Sequence, residues 1–464
     1  MKNPTKSSQH LTTVILATGI PPHFLKTTSR LLLVFGLIFG QNSHAFAQDL
    51  WQLYQASKQH NDILASQQYD HFANKINEDL AKGDLLPQIG LQGSIKHNQF
   101  YPKNNNIPNS NATTSQFGLG LHQALFRADK WATLEKAKIA SGINDLQLLK
   151  QQQELTEQVI RAYLGVLQTQ ALTESLNAEY DAIKAQNDMM QARLQQGIVA
   201  RVDTEETEAR LQNVRALLAN NDVAILNAKQ QLALLTGVAI DDIDPLILPI
   251  NTDLVAEKSL DNYLIATQQQ NFDLLLAQQQ VALAKKNQDL LKSHLYPKVD
   301  LVANIAWQDT NHQSLRNNNG INYGIGIEME LPFYTGGRTT KGLQQGAYQT
   351  ESAISKLKFV YQNTLTQTSK AYLNLMGHKT TIIAQQIAVD SNAKVNKATQ
   401  TGYDVGVRSM VDTLLAQRQY YATRRQLINA SFDYLNAYVD LQKATGNLND
   451  NTVKTLNNLL TKPK

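Results

Sequence analysis

Few side chains in this sequence are arranged for chemistry, and the absence of cysteine excludes a thiol nucleophile and a thiolate metal site. Glu328 and Glu330 are a candidate catalytic pair, because two nearby carboxylates can act as general acid and general base. They alternate with apolar residues, however, which indicates the water-facing side of a β-strand. The ten histidines form no H-x-x-H or H-E-x-x-H spacing for a metal, and no G-x-x-x-x-G-K or G-x-S-x-G occurs. The sequence therefore predicts a protein that is not an enzyme and has no metal or cofactor.

The first 47 residues have the pattern of a secretory signal peptide. They contain four basic residues and no acidic one, an apolar run over 31–40 and an A-x-A site at 45–47. The run is too short for a membrane span, which needs about 20 residues, so we expect cleavage to leave Gln48 as the N-terminus. Without these four charges the chain has 39 basic and 39 acidic residues, and its pI of 8.8 no longer suggests a nucleic-acid partner.

The rest of the chain is a duplication with an offset of 209 residues. Short motifs of the first half recur in the same order in the second half, which favours two copies of one unit over two unrelated domains. The matching segments are 162–164 with 371–373, 197–204 with 406–413, and 236–237 with 445–446. We therefore predict a first unit at 48–257 and a second at 258–464.

Each unit is predicted to begin with one helix, over about 50–84 and about 258–294. Two segments of alternating apolar and polar residues follow, which predicts strands with one apolar and one polar face. Gly118-x-Gly120 and Gly324-x-Gly326 lie inside such segments and are interpreted as small positions facing a lumen, not as phosphate loops. The predicted strands are about 87–100 and 115–126 in the first unit, and about 297–308 and 322–333 in the second.

Long helices follow the strands, since no proline occurs between Pro108 and Pro245 or between Pro332 and Pro463. A helix over about 128–195 would be about 100 Å long and needs coiled-coil support. The helix that returns from it has apolar or aromatic residues seven positions apart, as in a heptad repeat. These residues are Leu211, Leu218, Ile225 and Leu232 in the first unit, and Tyr420, Leu427, Tyr434 and Leu441 in the second.

Strands of about ten residues have the length of membrane-spanning β-strands. Four of them cannot close a barrel alone, and an open sheet edge is not tolerated in lipid. Three chains would supply twelve strands, enough for a barrel with an aqueous lumen, and also a cylinder of long helices. The sequence thus predicts a homotrimer that is mainly α-helical with a transmembrane β-barrel. The alternative is a secreted periplasmic coiled-coil scaffold or adaptor without a pore, although a rod has no use for four amphipathic strands.

Four motifs carry a resemblance to a known family. They are Leu-Pro-x-Ile-x-Leu at 86–91, Arg-Leu-x-x-Gly at 193–197, Leu-Pro-Phe-Tyr-x-Gly-Gly at 331–337, and Gly-Tyr-x-x-Gly-x-Arg-x-x-Val-Asp-x-Leu at 402–414. With these motifs the chain resembles TolC-type outer membrane efflux and secretion proteins over essentially the whole mature sequence. The resemblance implies a homotrimeric duct in which a twelve-stranded barrel continues into a long α-helical barrel. It also implies an equatorial belt built from residues near 238–258 and from the C-terminal tail.

The resemblance further implies a location and a set of partners. The barrel would lie in the lipid of the outer membrane, with the helical tunnel in the periplasm. A periplasmic adaptor protein and an inner-membrane RND or ABC transporter would dock at the periplasmic end and open it. The duct would then serve multidrug efflux, type I protein secretion or both, and it would carry out no chemistry of its own.

The periplasmic tips are predicted at about 196–203 and 403–412, where each unit reverses from one long helix into the next. Gly197 and Gly406 lie in these turns, and glycine suits the left-handed backbone that ends a helix. The resemblance makes these two turns the docking points of the adaptor.

The same resemblance assigns a gate at the tips. Asp412 would contribute to an acidic ring on the three-fold axis, with Leu415 one helical turn beyond it. Like charges that converge in this way raise one another's pKa and attract cations. Tyr403 and Arg408 would latch the tip, with Asp203 as their acceptor, because a charge-assisted link between helices is strong yet breakable.

Simpler roles exist for the same residues. Arg408 and Asp203 could form an ordinary exposed ion pair worth about 0–1 kcal/mol, and Asp203 and Asp412 could be helix caps. The chain also departs from the family pattern, since Leu415 replaces a second acidic residue and Val202 replaces a hydroxyl residue. The ring is therefore expected to be less acidic and more apolar than in other members, with weaker block by multivalent cations.

Overall fold

The computed structural model describes residues 48–103, 110–241, 259–312 and 318–460, together with 243, 246, 248, 250 and 252. The predicted signal peptide at 1–47 lies outside the described residues, as do most of the predicted belt segment near 238–258 and the last four residues of the tail. The described residues all belong to one unit, Gln48–Lys464.

Helices make up most of the described chain, and four strands interrupt them. In chain order the elements are α1 (Leu50–His60), α2 (Asp62–Gly83), β1 (Gln88–Phe100), β2 (Ser110–Arg127), α3 (Ala128–Gln195), α4 (Arg201–Thr236), α5 (Leu260–Gln270), α6 (Phe272–Ser293), β3 (Lys298–His312), β4 (Asn318–Glu330), α7 (Arg338–Asp404), α8 (Met410–Ala444) and α9 (Asp450–Leu460). The order helix, helix, strand, strand, long helix, returning helix occurs twice.

The single helix predicted at the start of each unit is wrong, because each is broken by an asparagine in extended conformation. Asn61 ends α1 and caps α2, where its side chain accepts a hydrogen bond from the Leu64 amide at 2.8 Å. Asn271 does the same between α5 and α6, accepting from the Leu274 amide at 3.0 Å. An asparagine oxygen replaces a missing helical carbonyl at an N-cap, so the chain can bend here without leaving amide groups unpaired.

Each break lies against the end of the returning helix of the same unit. Gly237 follows α4 with φ +69°, and a side chain on it would lie 2.7 Å from the Cβ of His60. Gly446 follows α8 with φ +74°, and a Cβ there would lie 2.2 Å from the Gln270 carbonyl oxygen. Both positions require glycine for two reasons. The backbone is left-handed there, and the neighbouring helix break lies too close for a side chain.

The strands form one antiparallel sheet with the order β1-β2-β3-β4. Strand ends differ from the predicted ones mainly at the loop side, since β2 begins at Ser110 and β3 continues to His312. One rung joins Leu91, Leu119, Ile305 and Tyr323 across all four strands. The backbones of β1 and β4 have no partner strand on their outer side among the described residues, so both sheet edges are open.

The long helices lie side by side below the sheet. Near the sheet, α3 packs between α2 and α6, and α6 packs on α7. Towards the tips, α3 packs between α4 and α8, and α8 packs on α7. The edges of the helical layer are therefore α4 and α7 near the tips, and α2 and α7 near the sheet.

The buried core lies midway along the helices, where α1, α9 and the breaks at Asn61 and Asn271 surround α3 and α8. The C-terminal helix α9 packs on α1, and its Val453 and Leu456 are fully buried. Asp450 accepts hydrogen bonds from Tyr54 and Lys58 at 2.7 Å each. The last helix of the second unit thereby closes onto the first helix of the first unit.

Candidate functional site

The two hairpin tips have the same backbone turn. Gly197 has φ +70° and Gly406 has φ +80°. After α3, the Ile198 amide donates to the Arg193 carbonyl at 2.9 Å, and after α7 the Val407 amide donates to the Gly402 carbonyl at 2.8 Å. These are the bonds of a Schellman turn, which satisfies the last carbonyls of a helix and reverses the chain. Both hairpins therefore end by the same physical device.

The start of α8 differs from the start of α4. The Ser409 hydroxyl accepts from the Asp412 amide at 3.1 Å, and the Asp412 carboxylate accepts from the Ser409 amide at 3.2 Å, which together form a capping box. The hydrogen bonds from the Ser409 backbone and then its side chain hold the pKa of Asp412 below its ordinary value. In a single protomer Asp412 is thus the third residue of a capped helix, and not its N-cap.

Asp203 has the equivalent position in the first unit, as the third residue of α4, but the residue before the helix is Ala200. Alanine has no hydroxyl, so no side chain caps the first turn of α4. Val202 beside it is 59% exposed, and Leu415 on α8 is 56% exposed. The tip surface of one protomer is therefore more apolar than a gate built from carboxylates alone.

Tyr403 joins α7 to α3 near the tip. Its hydroxyl donates to the Met190 sulfur at 3.4 Å, and the Arg193 guanidinium lies 5.8 Å from the centre of its ring. Sulfur is a weak acceptor, and a cation–π contact between half-buried side chains that water still reaches contributes about 1 kcal/mol. The contact of Tyr403 within the protomer is therefore easily broken.

Arg408 packs its aliphatic stem on Gly402, where an added Cβ would lie 2.7 Å from the Arg408 Cγ. Its amide donates to the Gly402 carbonyl at 3.2 Å. Within the described residues of one protomer no ion pair connects Arg408 with Asp203. The structure thus brings Tyr403 to Arg193 and Met190. Among the described residues the Arg408 guanidinium is in no ion pair, and its charge contributes to the lowered pKa of Asp412.

The sheet has two different faces, as the alternation predicts. The large apolar side chains of one face are mostly exposed, and Leu91, Ile325 and Ile327 are 62%, 78% and 68% accessible. On the opposite face one rung consists of Gly90, Gly120, Asn304 and Gly324. A sheet that exposes a continuous apolar face and a small polar face has the pattern of a membrane barrel wall.

The candidate catalytic pair belongs to the polar face of β4. Glu330 lies opposite Lys298 and pairs with it at 3.3 Å, and Glu328 lies opposite Asp300. Among the described residues there is no cluster of three or more ligands for a metal ion. No described helix is both long and apolar enough to cross a lipid bilayer.

The sequence matches the outer membrane efflux protein family over residues 53–238 and 265–447. The chain belongs to this family. The two matched segments correspond to the two units of the duplication, and together they include most of the long helices. Members of the family are outer-membrane channel proteins and not enzymes, so the predicted location, the predicted channel role and the predicted family are all confirmed.

Individual relatives agree with this assignment. Outer membrane protein TolC of Escherichia coli K12 is 30% identical over 440 residues, covering 91% of this chain and 87% of that protein. The alkaline protease secretion protein AprF of Pseudomonas aeruginosa is 25% identical, covering 72% and 69%. The outer membrane protein VceC of Vibrio cholerae has a similar fold, with a TM-score of 0.73 at 17% identity, covering 86% of this chain and 96% of that one.

One buried cluster of this efflux protein was missed by the sequence analysis. Glu179 on α3 is fully buried, and its two carboxylate oxygens accept from Arg210 on α4 and Arg425 on α8. One carboxylate therefore ties together the three helices that form the middle of the wall. Desolvation, more than any other cause, lowers the pKa of Arg210, but the guanidinium of arginine remains charged.

A sequence signal for this cluster exists. Leu176, Ile183 and Met190 are spaced seven apart along α3 and are buried, and Glu179 occupies the intervening heptad position where an apolar residue is expected. A carboxylate in that position is costly unless it is paired. An acidic residue within a heptad seam therefore indicates basic residues on the helices that face it.

Proposed function

We propose that three copies of this efflux protein close into one channel-tunnel, the exit duct for multidrug efflux, type I protein secretion or both. The observation that carries the proposal is the four-stranded sheet, which is open at both edges and has one exposed apolar face. In lipid the unpaired backbone groups of β1 and β4 would cost several kcal/mol each. Pairing β4 of one copy with β1 of the next removes that cost and gives twelve strands.

The edges of the helical layer support the same assembly. On α2, five large apolar side chains are more than half exposed, namely Ile63, Tyr69, Phe72, Ile76 and Leu80. On α7, at the other edge, Tyr348, Phe359, Leu373 and Ile387 are exposed to a similar degree. Exposed apolar stripes of this size mark interaction surfaces, and a ring of three copies would bring one edge against the other.

The tips act as the gate of the duct in this proposal. Arg408 of one copy would reach Asp203 of a neighbour, since it pairs with no carboxylate inside its own copy among the described residues. Tyr403 would contribute to the same latch once it exchanges its weak contact with Met190. Three copies of Asp412 would converge on the axis as an acidic ring, with the apolar Leu415 one turn above.

The partners would dock at these tips. Ile198, Val405 and Val407 surround the turns at Gly197 and Gly406, and they are 65%, 69% and 74% exposed. Apolar side chains concentrated on a tip favour a protein partner, which we assign to a periplasmic adaptor of an RND or ABC transporter. The adaptor would open the gate by giving the tip residues better partners than they have in the closed duct.

The assembly is tested by fractionation and conductance. We expect the protein in outer membranes as an SDS-resistant trimer that conducts ions in planar bilayers. Recovery of the full chain only as a water-soluble monomer would contradict the channel and favour the pore-free scaffold.

The gate is tested by a double variant, Tyr403→Phe with Arg408→Ser, which removes both proposed latch groups. We expect higher conductance, because the tip is held less tightly. The matched control is Tyr334→Phe with Arg338→Ser, the same chemical changes between the sheet and the start of α7, far from the tip. Unchanged conductance in the tip variant would overturn the latch.

A further inference from the structure

A cavity of about 330 Å³ lies within each protomer, where the helices near the sheet meet the helices that lead to the tips. The start of α6 and the end of α8 come together here, between α3 and α7. All four helices contribute lining residues, so the walls belong to one copy. A water molecule occupies about 30 Å³ in the liquid, and sites for small molecules measure about 300–1,000 Å³. The cavity is therefore large enough for a small organic molecule.

Ion pairs within the protein already use most of the charged side chains around this cavity. The pairs are Lys443–Glu157 at 2.6 Å, Lys150–Asp273 at 2.7 Å, Arg161–Glu157 at 3.0 Å and Arg161–Asp440. Each of these carboxylates has a close counterion, so none of them requires a cation from outside the protein. The charges that a ligand would meet are the ones that these pairs leave over.

One charged group of each sign is left over, on the two walls that flank the cavity. Lys370 on α7 forms no ion pair with any described residue. Glu154 on α3 has Lys150 at 3.9 Å, but Lys150 lies closer to Asp273. One ammonium group and one carboxylate thus lack a close counterion, and both residues line the same cavity. A ligand that matches them carries one negative and one positive charge.

A neutral donor on the α3 wall adds to this pattern. Gln153, next to Glu154, lines the cavity and is only 7% exposed, and its Nε2 has no hydrogen-bond partner among the described residues. A buried donor without an acceptor is unfavourable, and a ligand carboxylate would satisfy it. Phe272, at the start of α6, is half-buried and supplies an apolar part of the wall. The cavity therefore combines two donors for an anion, one carboxylate for a cation, and an aromatic ring.

We infer that this cavity binds a zwitterion of about the size of an amino acid, with an apolar side chain. The carboxylate of the ligand accepts from Lys370 and from the Nε2 of Gln153, its ammonium group pairs with Glu154, and its side chain packs on Phe272. The site is remote from the gate, because Lys370 lies about 50 Å from the tip along α7 at about 1.5 Å per residue. A ligand bound there joins α7, an edge helix of the wall, to α3.

Equilibrium dialysis of the purified full-length chain in detergent tests the site, with L-phenylalanine as the probe. We expect saturable binding of one molecule per chain. The analogue 3-phenylpropanoate lacks the ammonium group, and phenethylamine lacks the carboxylate. Each should bind about tenfold more weakly, because a charge-assisted hydrogen bond is lost. Equal binding of the three probes, or no saturable binding of phenylalanine, would overturn the inference.

Two charge variants assign the groups that bind each end of the ligand. Lys370→Gln should weaken phenylalanine and 3-phenylpropanoate by about tenfold without weakening phenethylamine. Glu154→Gln should weaken phenylalanine and phenethylamine by a similar factor without weakening 3-phenylpropanoate. The matched control is Lys394→Gln, an exposed lysine of α7 outside the cavity, which should bind all three probes like the unmodified chain.

Gln153→Leu removes the neutral donor and nearly preserves the size of the side chain. It should weaken the two probes that have a carboxylate by about fivefold, and helical circular dichroism checks that each variant is folded. Phenylalanine binding that survives both Lys370→Gln and Glu154→Gln unchanged would overturn the site, whether or not the chain conducts ions. A chain that binds phenylalanine as expected but forms no conducting trimer would contradict the proposed function and leave this site intact.

Discussion

The returning helices α4 and α8 occupy equivalent places in the two units but have different surroundings. Of the 36 residues of α4 five are buried, whereas 16 of the 35 residues of α8 are buried. Phe432 on α8 is 0% exposed, and Val223, its counterpart 209 residues earlier, is 58% exposed. The difference follows from position, since α8 lies between α3 and α7 and α4 lies at an edge. Duplicated sequence therefore diverged according to whether its neighbour belongs to the same chain.

The two hairpin tips differ in the same way as the returning helices, since the second unit is better stabilised within the protomer than the first. The second unit begins α8 with the reciprocal Ser409–Asp412 cap, and the first unit begins α4 after Ala200 without a side-chain cap. An uncapped first turn leaves amide groups unpaired, which makes the start of α4 the weaker of the two. The comparison indicates that α8 is stabilised within the protomer, whereas α4 depends more on its neighbours in the assembly.

The largest expected effect comes from truncating the two equivalent positions. Phe432→Ala should destabilise the fold by about 3–5 kcal/mol, because it leaves a cavity in the core. Val223→Ala should change stability by less than about 1 kcal/mol in the isolated protomer, since little surface is lost there. Urea unfolding followed by helical circular dichroism measures both. Equal shifts of the two urea midpoints would contradict the conclusion that α8 is enclosed within the protomer and α4 is not.

Removing the carboxylate that connects both helices to α3 should have the next largest effect. Glu179→Ala leaves Arg210 and Arg425 without a counterion in the wall, a loss of about 3 kcal/mol or more. Glu174→Ala, on an exposed position of the same helix, is the control. Urea midpoints of the two variants give the comparison, and a Glu179 variant as stable as the control would contradict the role of the cluster.

The two helix breaks should differ by one hydrogen bond. Asn271 caps α6 and also donates from its Nδ2 to the Ala444 carbonyl at 2.9 Å. Among the described residues, the side chain of Asn61 forms one hydrogen bond, the cap of α2. We expect Asn271→Ala to cost about 2 kcal/mol and Asn61→Ala about 1 kcal/mol, from about 1 kcal/mol per cap and per hydrogen bond. Thermal unfolding of both variants tests this, and a larger loss for Asn61 would reverse the expected order.

Exchanging the residues before the two returning helices, Ser409 and Ala200, should reduce the difference in stability between the first turns of α8 and α4. Ser409→Ala should destabilise the start of α8 by about 1 kcal/mol, and Ala200→Ser should stabilise α4 by a similar or smaller amount, because Asp203 is already in the partner position. Amide hydrogen exchange in the first turns of α4 and α8 is the measurement. Slower exchange in α4 and faster exchange in α8 are expected, and an unchanged α4 would show that serine alone does not rebuild the cap.

The smallest expected effect is a pH dependence of the stability of the first turn of α8. The pKa of Asp412 is lowered in the folded protomer, first by the backbone amide of Ser409. Its stabilising contribution is therefore complete above the unfolded pKa and is lost as the pH falls through the lowered folded value, below about pH 4. The protection factors of the amides at the start of α8, which are corrected for the intrinsic pH dependence of exchange, should fall on acidification in the unmodified chain. In Asp412→Asn this acidification step should be missing.

Local patterns predicted much of this structure correctly. Proline spacing predicted α3 over 128–195, and alternation predicted the two faces of the sheet, because both signals are local and repeat many times. The breaks at Asn61 and Asn271 were missed, since asparagine within a helical run is tolerated and becomes a cap only when another helix end packs against it. Glu179 was missed for a related reason, as its two partners lie on distant helices.

The sequence by itself determined the duplication, the amphipathic strands, the long helices and the family, because these depend on periodicity and on motifs of a few residues. Only the tertiary structure decided which copy of each element is enclosed and which remains at an edge. It made Asp412 part of a cap, separated Arg408 from Asp203 within one protomer, and left β1, β4, α4 and α7 with unpartnered sides. Burial depends on the order in which elements pack, and two units with the same order of elements cannot both occupy the middle of one chain.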